Sequence, residues 1–515
     1  MSGDRLKSRA GAAGRWVWPL VAAVVLVRLI AMAVLPLMDT TEARYGEIAR
    51  KMMVLGDWVT PWHDWGVPFW AKPPLPFWIS AASMKLFGVS EFAARLPHLL
   101  CGVAIAWLGW RFARDWMGRR EARLGTAVMA GSAVFFVSVG AVMTDTVLVL
   151  TTFWIATSFW GALHAADPAE QRRAGWLLAV AAGLGLLAKG PVSWVLPGMG
   201  LLVWAIWERR WRDIWRCIPW VRGLLLALLI AVPWYGLAEL RTPGFLDYFI
   251  VGEHFHRFLT PGWKGDLYGH AHEYKPGTIW VFALLALLPW TLLAPLAAWV
   301  WRKTPTPASG TPAGALERSL TRFLWLQALL PLLFFTAARN IIWPYALPSL
   351  PLLALLLGRW FARRSATAER WVCAGLVVLM LLTGGAMVEL FASKRVDDLS
   401  ARDLARRFVA VARPDQALLY VGVTRPFSAN FYSAGRAFEL HSFDAVLERE
   451  RPDDLQGQFV AIAPAQEHDL PAAGLEIVQR LGVFGRDELL QVRAARNVAL
   501  LGAAAPAAAA GRGFR

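Results

Sequence analysis

The sequence predicts an all-α polytopic membrane protein followed by a small external α/β domain. Of its 515 residues, 57% are hydrophobic, and the mean hydropathy is +0.43, whereas soluble domains average about half apolar residues. Long apolar runs recur over residues 1–392, and a run of about 20 apolar residues is long enough to cross a bilayer. After residue 392 the apolar runs shrink to the length of β-strands.

The apolar runs predict about eleven membrane spans, which corresponds to a fold with about 11–13 transmembrane helices. The first run is too long for a cleaved signal peptide and is interpreted as a retained anchor. The predicted spans are residues 16–37, 95–113, 124–142, 144–164, 175–189, 191–207, 219–239, 277–301, 322–337, 342–358 and 370–392.

The loops between the spans fall into a short basic class and a longer polar class. A net charge of +16 would suggest nucleic acid as the partner of a soluble protein. Here the charge is concentrated in short loops, as expected for loops on the cytoplasmic side of a membrane, so no nucleic-acid partner is predicted. The outer loops, mainly 38–94 and 240–276, then face the opposite side together with the C-terminal region.

The division into domains follows from the change in pattern along the chain. Residues 1–392 form the predicted membrane domain. Residues 393–498 contain the strand-like runs "ALLYVG", "AFELHS" and "QFVAIAP" between helical stretches, which predicts an external α/β domain. Residues 499–515 are of low complexity and are predicted to be disordered. The three widely spaced cysteines predict neither a disulfide framework nor a zinc motif.

The first outer loop begins with an amphipathic segment, residues 41–56, whose apolar positions share one helical face. We expect this helix to lie in the membrane interface. Glu42 follows Asp39 by three residues, the spacing of a capping box. The two carboxylates therefore have two interpretations: they cap the helix, or they serve chemistry at the outer face.

Three further charged residues stand at the outer edge of apolar segments. Lys72, in "VPFWAKPPLPFW", either extends to lipid headgroups or holds a phosphate. Asp145 opens a span in "VMTDTVLVLTTFW", where an acid is functional or paired or stabilises a helix N-terminus. Lys189 closes a span in "LLAKGPVSW", where a helix C-terminus also favours a cation.

The loop "GEHFHRFLTPGWKGDLYGHAHEY", residues 252–274, is rich in titratable groups. The spacing of its histidines matches no strong zinc pattern, so neither a metal nor a cofactor is predicted. Its arginine suits a bidentate contact to a phosphate. The titratable residues are Glu253, His254, His256, Arg257, His270 and His272, and the later segment "RNIIWPYALP" adds Arg339 and Tyr345.

Several motifs, in this order, resemble the bacterial lipid A aminoarabinose transferase family: "EARYGEIARKMMVLGDWVTP", "KPPLPFW", "LFGVSEFAARLP", "TDTVLVLTTFW", "AKG", "EHFHRF" and "PYALPSLPLLALLLG". That family is a branch of the GT-C membrane glycosyltransferases, related to protein O-mannosyltransferases. The resemblance covers residues 16–360 and implies the GT-C fold.

The resemblance also implies a reaction and a set of site residues. A monomer in the bacterial inner membrane would transfer a sugar from undecaprenyl phosphate to a lipid A phosphate on the periplasmic side, among membrane lipids. Because nucleotide sugars are not expected there, a lipid-linked donor fits. By motif, the donor phosphate would be bound by Arg44, Tyr45, Lys72, Arg257 and Tyr345; Glu42, Asp39 and Asp145 are the catalytic candidates, and Lys189 and His254 are supporting residues.

Three positions depart from the family pattern. Thr41 stands where the family has Asp, Ala71 where it has Glu, and Gly252 where it has His. In the family that Glu and His can hold a metal, so the double loss predicts activity without a metal at this position. The departures also suggest a divergent subfamily, so the resemblance indicates the class of reaction more firmly than the identity of the sugar.

Two alternative functions remain at this point. One is a protein O-glycosyltransferase of the same broad fold, which needs a base for a Ser or Thr hydroxyl. The other is a lipid transporter or flippase without chemistry. Transporters tend to carry inverted repeats and polar sites at the membrane midplane, whereas this chain has no evident repeat and gathers its polar residues at one edge.

Overall fold

The computed structural model describes residues 13–269, 272–303, 314–365, 367–448 and 457–495. The chain divides into two compact units. The helical unit runs to Val34 and continues over Ile48–Met387, and the C-terminal unit combines Leu35–Glu47 with the chain from Val388. The tail 499–515, predicted to be disordered, and His270 lie outside the described residues.

Helices make up most of the described chain before residue 393, together with one short hairpin. A π-helix covers Asp247–His256, 3₁₀ helices cover Trp301–Lys303 and Trp343–Ser349, and the hairpin pairs β1, Trp62–Asp64, with β2, Val67–Pro68. The α-helices are Val17–Val34, Thr41–Leu55, Leu75–Phe87, Glu91–Trp116, Arg119–Ala130, Ala133–Ser138, Thr144–His164, Pro168–Lys189, Val192–Glu208, Trp211–Cys217, Trp220–Arg241, Arg257–Leu259, Thr278–Ala286, Trp290–Val300, Ala315–Thr336, Leu350–Arg364 and Ala368–Ala392.

Among the described residues, seven helices are long and apolar enough to cross a membrane. An eighth span results if Thr278–Ala286 and Trp290–Val300, bent by 74°, are taken together. The chain is therefore a multi-pass membrane protein, as predicted. The seven are Val17–Val34, Glu91–Trp116, Thr144–His164, Trp220–Arg241, Ala315–Thr336, Trp343–Arg364 and Ala368–Ala392.

This count differs from the eleven predicted spans for local reasons. The predicted span 124–142 is divided between Arg119–Ala130 and Ala133–Ser138, because a Gly-Ser pair interrupts the helix between them. The predicted span 191–207 is one helix, Val192–Glu208, of only 17 residues. The predicted span 175–189 lies within helix Pro168–Lys189, which is also not among the seven. Length and composition alone therefore do not make any of these three segments a membrane-spanning helix.

Packing within the helical unit uses aromatic side chains and close backbone contacts. Trp160 and Trp204 are fully buried, and the ring of Trp160 lies 5.0 Å from that of Phe323. At another helix pair a Cβ built on Gly358 would lie 2.3 Å from Cα of Gly125, so neither position has room for a side chain. Small residues of this kind let membrane helices approach closely.

The C-terminal unit contains a five-stranded mixed sheet, formed by β3 Leu418–Val421, β4 Ala437–Leu440, β5 Gln458–Ile462, β6 Leu475–Phe484 and β7 Asp487–Ala494. The order of the strands in the sheet is β4-β3-β5-β7-β6. Strands β4, β3 and β5 are parallel, and β7 and β6 continue the sheet antiparallel. The three predicted strands and the small α/β domain are confirmed, and the β6–β7 hairpin is an addition that the sequence analysis did not predict. The α-helices of this unit are Arg395–Leu399, Arg402–Val411, Phe427–Tyr432 and Asp444–Leu447.

The segment Leu35–Glu47 belongs to the C-terminal unit through specific hydrogen bonds. The amide of Leu37 donates to the hydroxyl of Tyr432 at 2.8 Å, and the amide of Asp39 donates to the carbonyl of Leu399 at 2.9 Å. The hydropathy pattern predicted that this segment belongs to the membrane domain. Its contacts with the C-terminal unit could not be predicted from the sequence, because the partner residues lie more than 350 residues away in the chain.

Candidate active site

Lys72 is held inside the helical unit by a carboxylate. It precedes helix Leu75–Phe87, whose start is set by prolines that fit a first helical turn. Its ammonium donates to Oε2 of Glu253 at 2.7 Å and to the carbonyl of Ala71 at 2.7 Å. The side chains of Lys72 and Glu253 are 14% and 4% exposed. Lys72 therefore points into the protein, in contrast to a lysine that extends to the headgroups.

Glu253 holds a second cation on the same carboxylate. Arg257 donates to Oε1 of Glu253 at 3.0 Å and also lies 3.4 Å from Oδ2 of Asp266. Burial by itself raises the pKa of Glu253, but the charges of Lys72 and Arg257, together with their hydrogen bonds, outweigh burial and lower the pKa to about 2. Glu253 is therefore ionised at any physiological pH and fixes both cations.

Arg257 retains a donor that the described chain does not satisfy. Its Nε is buried and has no hydrogen-bond partner within the described residues. Its backbone is fixed by Asn340, whose Nδ2 donates to the carbonyls of Arg257 at 2.6 Å and Thr260 at 2.8 Å. An unsatisfied buried donor costs about 1–3 kcal/mol. An anion bound next to the guanidinium would remove that cost.

A second ion pair, between Asp145 and Lys189, lies close by. Asp145 is in the first turn of helix Thr144–His164. Lys189 is the last residue of helix Pro168–Lys189 and is followed by Gly190. The ammonium of Lys189 donates to Oδ1 of Asp145 at 2.6 Å and lies 5.0 Å from the ring centre of Tyr345. Both side chains are almost fully buried. The predicted acid at the helix start is thus a paired acid.

His254 packs beneath these pairs as a neutral ring. Its Nδ1 lies 2.7 Å from the carbonyl of Phe249, and the two rings are 4.7 Å apart. Burial lowers the pKa of His254, so the imidazole is uncharged at neutral pH. Gly190 has φ of +74°, and a Cβ there would lie 2.6 Å from Phe249. Glycine is therefore required for this packing.

These residues line one cavity of about 460 Å³ in the helical unit. Three cations and two carboxylates face it, and Asp266, which contacts Arg257, adds a third negative charge beside it. The remaining walls are mainly aliphatic and aromatic. This combination suits an anionic group carried on a long apolar chain. The charged residues are Lys72, Asp145, Lys189, Glu253 and Arg257, and the apolar walls include Leu148, Val192, Val195, Phe249, Phe334 and Phe335.

Asp39 and Glu42 are located in the C-terminal unit. The amide of Ser428 donates to Oδ1 of Asp39 at 3.1 Å, and the hydroxyl of Ser428 donates to the other carboxylate oxygen. Burial raises the pKa of Asp39, although these hydrogen bonds partly oppose it. Oε2 of Glu42 accepts from the amide of Met38 at 3.2 Å, a local contact at the helix start. Asp39 thus joins two segments of the C-terminal unit.

Arg44 and Tyr45 also belong to the C-terminal unit. The guanidinium of Arg44 lies 5.4 Å from the ring centre of Tyr45 and 5.9 Å from that of Phe427, which are cation–π distances. The convergence of Arg44 with Lys72 and Arg257 involves both units of the chain and stays a prediction.

The residues present do not fit a metal at the position known from the family. Among the described residues, no group of three or more His, Cys, Asp or Glu is arranged to hold a metal ion. The methyl side chain of Ala71 has no atom that could bind a metal, and Gly252 has no side chain. Gly252 also lies against Trp263, since a Cβ atom added to it would be only 3.1 Å from the indole ring.

Two residues of the site were missed as functional groups. Glu253 was noted as titratable but given no role, although its four-residue spacing from Arg257 was a usable signal for an ion pair. Asn340 carries no local signal, because the carbonyls that it fixes lie 80 and 83 residues earlier in the chain.

Known glycosyltransferases are similar to this chain in sequence. The pattern of the family described as dolichyl-phosphate-mannose-protein mannosyltransferase matches residues 71–236. A protein of Pseudomonas paraeruginosa, named undecaprenyl phosphate-alpha-4-amino-4-deoxy-L-arabinose arabinosyl transferase, is 30% identical over 345 residues, 65% of this chain and 57% of that protein. A protein of Pseudomonas fluorescens Pf-5 with the same name, numbered 1, is 30% identical over 381 residues, 72% and 64% of the two chains. The chain is related to the aminoarabinose transferases.

The resemblance inferred from the motifs, including the relation to protein mannosyltransferases, is thereby confirmed. The aligned region spans about three fifths of the length of these curated relatives. The fold is similar to that of ArnT from Cupriavidus metallidurans bound to undecaprenyl phosphate, with a TM-score of 0.74 and 20% identity over 92% of this chain and 97% of that one. The apo state of that protein gives a TM-score of 0.73. The GT-C fold is therefore confirmed.

Proposed function

We propose that the protein is a membrane glycosyltransferase that moves aminoarabinose, or a related amino sugar, from undecaprenyl phosphate to a lipid A phosphate. We place the reaction at the periplasmic face of the bacterial inner membrane. The observation that carries the proposal is the pair of cations, Lys72 and Arg257, fixed by Glu253 in an apolar cavity. The names of the similar proteins and the bound lipid of the similar structure support the same donor.

The donor phosphate would bind between Lys72 and Arg257. The buried Nε of Arg257 supplies a donor that is otherwise unused among the described residues. A bound phosphate oxygen would accept this hydrogen bond in addition to the contact from the Lys72 ammonium. The polyprenyl tail would lie along the apolar walls, where Val195 and Phe334 contribute. Charge-assisted contacts of this kind are about twice as strong as neutral ones.

The chemistry is a displacement at the anomeric carbon of the sugar. The bond from this carbon to the carrier phosphate breaks with its electron pair going to the phosphate, and a new bond forms to an oxygen of the acceptor phosphate. Negative charge grows on the leaving phosphate, so Lys72 and Arg257 stabilise the transition state. Since Glu253 already holds both cations in place, little reorganisation is needed during the reaction.

The acceptor determines whether a base is required. A lipid A phosphate is already anionic, so it needs no strong base, whereas a hydroxyl acceptor would need one. Asp145 is bound to Lys189 at 2.6 Å and is therefore suited to orienting that cation. For Glu42, orienting a cation or the amino group of the sugar stays a prediction from the sequence.

The test is a transfer assay with the purified protein in vesicles and a polyprenyl-phosphate aminosugar as donor. Mass spectrometry would follow three reactions in parallel, with lipid A, with a Ser/Thr peptide and without acceptor. We expect a mass increase on lipid A only. Glycosylated peptide would instead support the mannosyltransferase alternative, which the family match over residues 71–236 makes the second candidate. Donor translocation without any product would indicate a flippase.

A further inference from the structure

Three helices that line the cavity carry a second polar cluster at their opposite ends. We call it the arginine cleft. On helix Ala315–Thr336, Phe334 faces the first cavity and Arg318 the cleft, which places them about 24 Å apart along the axis at ~1.5 Å per residue. The cleft has a volume of about 510 Å³, and its lining residues are Trp207, Glu317, Arg318, Thr321, Arg322, Trp325, Leu326, Arg359 and Arg363.

The floor of the cleft is a buried arginine with fixed partners. Arg359 is 7% exposed and donates to the hydroxyl of Thr321 at 2.9 Å. Arg359 and Arg363 both donate to the carboxylate of Glu317. One carboxylate thus holds two cationic groups, as Glu253 does at the other end of the unit.

The rim of the cleft carries more positive charge. Arg322 pairs with Glu208 at 3.1 Å, and its guanidinium lies 5.5 Å from the ring centre of Trp207. Arg363 is also 3.7 Å from Glu121, and Arg318 completes the rim. Four arginines therefore face one glutamate inside the cleft and two outside it.

The other side of the cleft is apolar and exposed. The side chains of Trp207 and Trp325 are 60% and 46% exposed, and Leu326 lies beside them. Tryptophans at this level of a membrane helix are typical of the interface with lipid headgroups. The cleft therefore joins a cationic wall to an apolar wall at the end of a helix bundle.

We propose that the arginine cleft binds the headgroup of an anionic phospholipid of the membrane. Guanidinium groups bind phosphate oxygens in bidentate fashion, and the acyl chains would pass along Trp207, Trp325 and Leu326. A free phosphate would use the arginines but not the apolar wall. By the distribution of basic loops this end faces the cytoplasm. The lipid is thus neither the sugar donor nor the acceptor, and the inference goes beyond the proposed function.

The test uses the purified full-length protein and native mass spectrometry. Phosphatidylglycerol and phosphatidylcholine are titrated separately, and inorganic phosphate is added as a competitor. We expect phosphatidylglycerol to bind the wild type at least tenfold more tightly than phosphatidylcholine. The variant R318Q/R322Q should lose about tenfold in phosphatidylglycerol affinity, while R318K/R322K, which keeps both charges, should lose less.

The matched control is R172Q/R173Q, which removes two exposed arginines near the start of helix Pro168–Lys189. It should bind phosphatidylglycerol like the wild type. Equal affinity in all variants, equal binding of phosphatidylcholine, or displacement of the lipid by millimolar phosphate would each overturn the proposal. Thermal unfolding of every variant shows that it is folded, and R318K/R322K keeps the test decisive should the glutamine variant unfold.

Discussion

The two units of the chain place carboxylates in opposite electrostatic environments. In the helical unit the pKa of Glu253 is lowered to about 2, although burial alone would raise it, because Lys72 and Arg257 contact the carboxylate. In the C-terminal unit burial raises the pKa of Asp487 to about 6, and the positive charge of Arg486 only partly opposes it. Burial acts in the same direction in both units, and the nearby cations determine the result.

This contrast indicates which carboxylates can serve chemistry with a phosphate substrate. Glu253 remains charged and keeps two cations in a fixed position, so its charge is part of the site. Asp39 and Asp487 lie where the charged form is disfavoured, so their charge costs stability. In the first case removal of the charge should affect the reaction, and in the second it should affect folding.

The largest effect is expected for the cations that Glu253 holds. Lys72→Ala or Arg257→Ala should lower the transfer rate by about 10²–10³-fold, because each removes a donor aimed at the leaving phosphate. The measurement is the initial rate with the lipid-linked donor and lipid A. Arg172→Gln, which removes an exposed cation outside this cavity, is the control and should stay within about twofold in rate. A similar loss in the control would mean that general loss of positive charge is responsible.

The next largest effect is expected for Glu42, and it distinguishes the role of Glu42 from that of Asp39. Glu42→Gln should lower the rate by at most about 10²-fold, the low end of a general-base contribution, because the predicted role of its charge is to orient a substrate. Asp39→Asn keeps an oxygen for the amide of Ser428 and should retain most activity. Transfer rates over a pH series are the measurement. An inactive Asp39→Asn with a nearly normal Glu42→Gln would reverse these roles.

Glu253 provides a smaller and more specific test. Glu253→Gln should lower kcat about tenfold, one order of magnitude or about 1.4 kcal/mol, because Lys72 and Arg257 lose their common partner. The KM for the donor should not increase, since the cavity becomes more positive. In the wild type the pKa of about 2 predicts no change in rate from Glu253 protonation above pH 4. An increase in KM with constant kcat would contradict the positioning role.

The smallest expected effect concerns Asp487 and is an effect of pH on the stability of the protein. Its pKa is raised, so the folded state binds the proton more tightly and stability falls as pH rises from about 4 to 6. Asp487→Asn should therefore stabilise the protein by about 1 kcal/mol at pH 7.5, after allowance for solvent screening, and by almost nothing at pH 4. Thermal unfolding at both pH values measures this. Equal stabilisation at both values would disprove a charge effect.

Features of the site that depend on neighbouring residues could be predicted from the sequence, whereas contacts between distant residues could not. The starts and ends of helices at Lys72, Asp145 and Lys189 were predicted because prolines, glycine and apolar runs mark them locally. The ion pair between Lys72 and Glu253 was not predicted, because the two residues are 181 positions apart. The role of Asp39 was open between capping and chemistry for the same reason, since its partner Ser428 is 389 residues away.

The sequence by itself determined the membrane class, the C-terminal α/β domain and the relation to the aminoarabinose transferases. Hydropathy, spacing and motif order are local properties, so they can be read without coordinates. Only the tertiary structure decided that Glu253 is the common partner of Lys72 and Arg257, that Asp145 is neutralised by Lys189, and that Leu35–Glu47 groups with the C-terminal unit. Each of these depends on which helices and segments pack together, because a short-range ion pair or hydrogen bond exists only where packing brings distant residues within about 3 Å.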